Sequence, residues 1–144
     1  SQLNSLIEIC KDGQQGFQQA AENVKCSELR AELQSYSRQR AEFATALQSE
    51  VARLGVEPEK GGSMAGAIHR GWINLKTALT SNDDQAVINE CERGEDSAVE
   101  AYQEAMKADL APQVQAIVSK QYQSVKAAHD KIRDLRDSGK LQKA

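Results

Sequence analysis

Four stretches of this chain carry apolar residues at helical spacing on one face only. That pattern constrains the fold more than any other feature of the sequence. The first stripe is Leu3, Leu6, Ile7, Cys10, Phe17, Ala21 and Val24, and the second is Leu29, Leu33, Tyr36, Phe43, Leu47, Val51 and Leu54. The third is Val87, Ile88, Cys91, Ala98, Tyr102 and Ala105, and the last is Leu110, Val114, Ile117, Val118, Val125, Ala128, Ile132 and Leu135. All four follow the 3.6-residue period of an amphipathic helix. A shorter stripe of Ile68, Trp72, Leu75 and Leu79 lies between the second and third. Ser27 is placed to cap the start of the second helix, Gly55 to end it, and Pro112 suits a first turn. Val56 to Ser63, with Pro58, Gly61 and Gly62, reads as a loop. A helix of 26 residues is about 39 Å long. Rods apolar on a single stripe must pack against one another. The prediction is an all-α four-helix bundle over residues 1–138, one domain, with a frayed tail at 139–144.

Composition excludes several alternatives. Among 144 residues there are only two Phe, three Tyr, one Trp and two Pro, too few for a sandwich or barrel. No apolar run approaches the roughly 18 residues of a membrane span. No secretory leader pattern is visible. Net charge is −3 with both signs interspersed, so no footprint for nucleic acid is expected. Three cysteines, widely spaced and without Cys-x-x-Cys, read as free thiols. That usage points to a reducing, cytoplasmic setting.

The two halves align on each other at an offset of 81 positions. Ile7 pairs with Ile88, Cys10 with Cys91, Gly13 with Gly94, Leu29 with Leu110 and Leu54 with Leu135. Matched stripes alone explain shared hydrophobicity, but less well the shared Cys-x-x-Gly and the single offset across two helices. Two helical hairpins are implied. The connection between them, about 28 residues, must then run the length of the bundle, as the crossover of ferritin-like bundles does.

Several motifs carry a resemblance. Cys10-Lys11-Asp12-Gly13-Gln14-Gln15-Gly16-Phe17, Gly66-x-x-His69-Arg70-x-Trp72, Glu90-Cys91-Glu92-Arg93-Gly94-Glu95-Asp96 and His129-Asp130-x-Ile132-Arg133 resemble an uncharacterised bacterial four-helix-bundle family. That family is a domain of unknown function placed near the ferritin-like superfamily. The resemblance spans residues 3 to 137. It implies a ferritin-like fold and no established activity.

The fold raises the question of a di-metal centre. Such a site needs one Glu from each of two helices and a Glu-x-x-His pair from each of the other two. Here there are two histidines, His69 and His129, and the residue three before His129 is Lys126. Helical phase places Arg40 and Glu95 at the centres of their stripes, with Gln14 and Gln121 at matching positions. The expectation is a core polar network of Gln14, Arg40, Glu95 and Gln121 in place of a di-metal site. A buried Arg–Glu pair balances charge that neither residue could carry alone. Glu92 and Asp96 read as edge residues, solvated or paired with Arg93 or a neighbouring helix, His129 as a boundary residue, and Asp12, Glu22 and Glu42 as surface charges.

The main reading is thus a non-catalytic ferritin-like bundle with no cofactor, acting in interaction or stress-related roles by superfamily analogy alone. The alternative is a divergent carboxylate-bridged protein binding iron or manganese through Glu92, Glu95, Asp96 and His129. The edge of Ile68, His69, Arg70 and Trp72 packs on the bundle or forms an interface for a homodimer or protein partner. Gly13, Gly16 and Gly94 are expected to let helices approach closely.

Overall fold

A computed structural model describes residues 2–55 and 72–139. Five helices lie in this range: α1 (Gln2–Asn23), α2 (Ser27–Leu54), α3 (Leu75–Thr80), α4 (Asp84–Lys107) and α5 (Pro112–Asp137). Their ends follow local chemistry. Gly55 adopts a left-handed φ of 71° and returns its N–H to the carbonyls of Ala52 and Val51. Pro112 sits in the first turn of α5. Asp83 caps α4 by accepting the Gln85 N–H. Ser27 does not cap α2; that position is Cys26, whose side chain makes no capping bond. The turn is held from outside instead. Both Asp84 carboxylate oxygens accept backbone N–H groups, from Lys25 and Cys26, each at 2.9 Å. Of the predicted tail at 139–144, residues 140–144 lie outside the described residues, as do Ile68, His69 and Arg70.

The helices form two antiparallel hairpins. The tight turn at Val24–Cys26 folds α2 back along α1, and Ser37 Oγ donates to the Gln14 carbonyl at 2.8 Å. In the second hairpin Tyr102 meets Gln121 and Glu92 meets Arg136. The hairpins join chiefly through α1 against α4, with α2 and α5 touching sparingly. Cys10 faces Tyr102, while Gly16 and Gly94 both flank Trp72, so α1 and α4 are also antiparallel. It follows that α2 and α4 run parallel. The chain must therefore return the length of the bundle between them, about 42 Å for the 28 residues of α2. No helix among the described residues is long and apolar enough to cross a membrane.

The core has two apolar halves. One gathers Phe17, Val24, Leu33, Val87, Ile88 and Ile132; the other gathers Leu6, Ile7, Leu47, Val114, Val118 and Val125. Trp72 belongs to the first half. It precedes α3 rather than lying on a helix with Leu75 and Leu79, because the helix begins only at Leu75. Glu90 holds that approach by accepting the Asn74 N–H at 2.6 Å.

The Trp72 indole is 4% exposed and meets the Phe17 ring edge-on, with centroids 5.2 Å apart. It is enclosed within the chain rather than presented to a partner. Gly16 and Gly94 form its slot. A Cβ at Gly94 would fall 2.2 Å from the indole, and one at Gly16 would fall 2.6 Å from it. These glycines therefore admit a tryptophan ring, not a neighbouring backbone. Gly13, the counterpart of Gly94 under the 81-residue offset, faces the Arg40 side chain instead.

Gly94→Ala should destabilise the protein by roughly 1–3 kcal/mol in denaturant unfolding, since overpacking outweighs the gain in helix propensity. Gly13→Ala, whose new Cβ meets an Arg40 methylene at 3.2 Å rather than the indole at 2.2 Å, should be milder.

Candidate metal centre

Between the two apolar halves lies a polar layer. Arg40 on α2 and Glu95 on α4 form a two-pronged pair at 2.5 and 2.6 Å. They are 1% and 0% exposed. Burial opposes the guanidinium charge, and the Glu95 carboxylate overcomes it, holding Arg40 above its ordinary pKa. Gln121 on α5 accepts the Tyr102 O–H at 2.7 Å and reaches the Phe43 carbonyl. Tyr102 also contacts Cys10 Sγ at 3.1 Å. Burial pushes the Cys10 thiol up to about 11 and also raises Cys91, so neither is a thiolate near neutrality. Gln14 stands apart. It is half-buried on the α1–α2 flank, lining a surface groove with Gln18, Gln34 and Arg38. Asp12 is no surface charge: it is 2% exposed and shares with Arg40, Glu95 and Trp72 a cleft of about 10 Å³, roughly one water in size.

A second cluster sits on the outer flank of the α4–α5 hairpin. Glu92 and Asp96 are one helical turn apart on α4, and His129 projects from α5 beside them. One ligand atom from each of the three lies within 4.8 Å of the others. His129 Nε2 is 2.6 Å from Asp96 Oδ1, and its Nδ1 is 3.2 Å from Asp130 Oδ1. Partial burial works against charging the ring. The hydrogen bonds to Asp130 and Asp96 outweigh it and hold the His129 pKa above the ordinary imidazole value. The same bond holds Asp130 below the usual carboxylate range. Glu92 is half-buried and receives a hydrogen bond from the Arg136 guanidinium. Two carboxylates and one imidazole thus converge, and the ring is steered by a further carboxylate on its far nitrogen. This is the outer partner that orients metal-ligating histidines.

A family described as "Domain of unknown function (DUF2383)" matches residues 1–108. The chain belongs to that family. The matched segment carries α1 through α4 with Glu92, Asp96 and the Arg40–Glu95 pair, while His129 and Gln121 lie beyond it. No curated protein matches the DUF2383 chain.

The flank cluster overturns the expectation of a chain without a metal site or cofactor. Each of Glu92, Asp96 and His129 sits at the margin of its own stripe, and the pairing of Glu92 and Asp96 with a neighbouring helix is realised through Arg136 and His129. A margin facing another margin is a shared surface, and here three side chains that could hold a metal ion meet on it. Glu95, included in the alternative ligand set, is not part of the cluster. Its carboxylate turns inward to Arg40. Tyr102 and Cys10 sit on apolar stripes, where both types pack as apolar residues, yet their polar atoms join this layer.

Glu95→Ala should cost about 3–5 kcal/mol in denaturant unfolding, because Arg40 is left buried without its counter-charge. The double substitution Arg40→Met with Glu95→Leu should cost much less. Equal losses would show that the two charges do not depend on each other.

Proposed function

We propose that this chain is a metal-binding helical bundle that takes one divalent ion of the iron or manganese class at Glu92, Asp96 and His129. The observation that carries the reading is the convergence of these three side chains within 4.8 Å. Carboxylate oxygens suit manganese and iron, and an imidazole adds the borderline nitrogen that these ions also accept. Three protein donors leave coordination positions for water or a small ligand, and exposure of Asp96 keeps that side open to solvent. The Asp130 contact fixes the ring so that Nε2 faces the carboxylates. In the metal-free state, below the raised His129 pKa, the imidazolium balances Asp96. A bound ion would take the place of the Nε2 proton, which leaves to solvent.

The bundle is read as ferritin-like. Parallel α2 and α4, which require a crossover the length of the bundle, support this relation. The metal position differs from the ferritin pattern: it lies on the flank of one hairpin, while the centre of the bundle holds the Arg40–Glu95 pair.

Metal-free protein titrated with Mn(II), followed by electron paramagnetic resonance, should bind one ion per chain. His129→Ala should weaken binding by about tenfold or more, and Asp130→Asn by about tenfold through loss of ring orientation. Affinity should rise with pH. Below the raised His129 pKa one proton must leave for each ion bound, so affinity falls by about tenfold per unit of acidification. Above that pKa the dependence should flatten. Unchanged Mn(II) binding in a Glu92→Gln, Asp96→Asn, His129→Ala variant would sink this assignment.

A further inference from the structure

The Arg136 side chain sits where it competes directly with an ion for Glu92. Its Nη1 donates to Glu92 Oε2 across the hairpin. Its Nε and Nη2 donate to the two oxygens of Asp137, at 2.9 and 3.3 Å. The guanidinium thus bridges one carboxylate of the candidate metal cluster and one carboxylate outside it. The backbone at this point is tethered separately, because Gln85 Nε2 donates to the Arg136 carbonyl at 3.2 Å. Only the side chain has to move to free Glu92. It would not be stranded on leaving, since Asp137 already holds two of its donors and both residues reach solvent.

We propose that Arg136 is an internal counter-ion that sets the affinity of the metal site. It neutralises Glu92 in the metal-free protein and swings onto Asp137 alone when a divalent cation arrives. The inference rests on the metal reading above and adds a regulator to it. A cation held on a ligand opposes a second cation twice, by occupying the oxygen and by repulsion across a few ångströms. The site therefore binds weakly at rest, and the ion must displace a fixed partner to enter. Arginine suits this role because its fork engages two carboxylates at once, which a single ammonium cannot match.

The test compares Mn(II) affinities of the intact chain, Arg136→Gln and Arg136→Lys under one buffer, with helicity and thermal unfolding of each metal-free protein recorded alongside. Both variants should bind Mn(II) more tightly than the parent, by roughly twofold to fivefold for the glutamine. The lysine should retain part of the gain, since it keeps the charge and loses the fork. The metal-free variants should be no more stable than the parent, so tighter binding cannot come from a firmer fold. Binding by the parent with no gain in Arg136→Gln overturns this inference alone. A gain in Arg136→Gln with none in Arg136→Lys also overturns it, because charge repulsion without displacement of the guanidinium from Glu92 then accounts for the effect. Absence of binding in all three proteins overturns the metal reading and the inference together.

Discussion

A guanidinium and a carboxylate buried together at the middle of a helical bundle leave the surrounding helices little freedom. Arg40 comes from the first hairpin and Glu95 from the second. Neither hairpin can bury its own charge without the other, because an unpaired ion in that setting costs several kcal/mol. The pair therefore makes docking of the hairpins a condition of burying either face. It also sets their register. A shift of α4 by one turn along α2 would separate the two prongs and strand both charges, whereas the apolar halves on either side would tolerate such sliding far better.

That register reaches the flank of the bundle. Glu92 and Asp96 lie on the same helix as Glu95, within one turn of it, so anchoring Glu95 to Arg40 also positions the two outer carboxylates. The α5 partner is fixed in turn by the Tyr102–Gln121 bond and by the packing of Val125 and Ile132, which bracket His129 along the helix. The candidate metal centre thus stands on two rigid helices rather than on loops. One face of α4 serves the core and the adjacent face serves the site. The small Gly94 between them admits the Trp72 ring.

Much of the architecture is legible in the chain because it is local. The 3.6-residue stripes, the left-handed Gly55 and the first-turn Pro112 each depend on neighbours a few residues away. The inward phase of Arg40 and Glu95 follows from the same wheel. Other features depend on a second helix and were hidden. Asp12 falls off its own stripe, yet it is enclosed because α4 and Trp72 lie against that side of α1. The glycines were read as points of helix approach, whereas a residue more than fifty positions from Gly16 fills their slot.

The candidate metal cluster marks the same boundary. Glu92 and Asp96 were visible as a one-turn carboxylate pair, and His129 as a lone imidazole. A wheel describes the angle of a residue about its own axis and nothing about which neighbour lies along that angle. The sequence by itself determined that the chain is helical, where α2 ends and α5 begins, and which face of each long helix is apolar, because periodicity and capping act over single turns. Only the tertiary structure decided that the margins of α4 and α5 face each other. That juxtaposition depends on hairpin pairing and register, which are set by contacts between residues tens of positions apart.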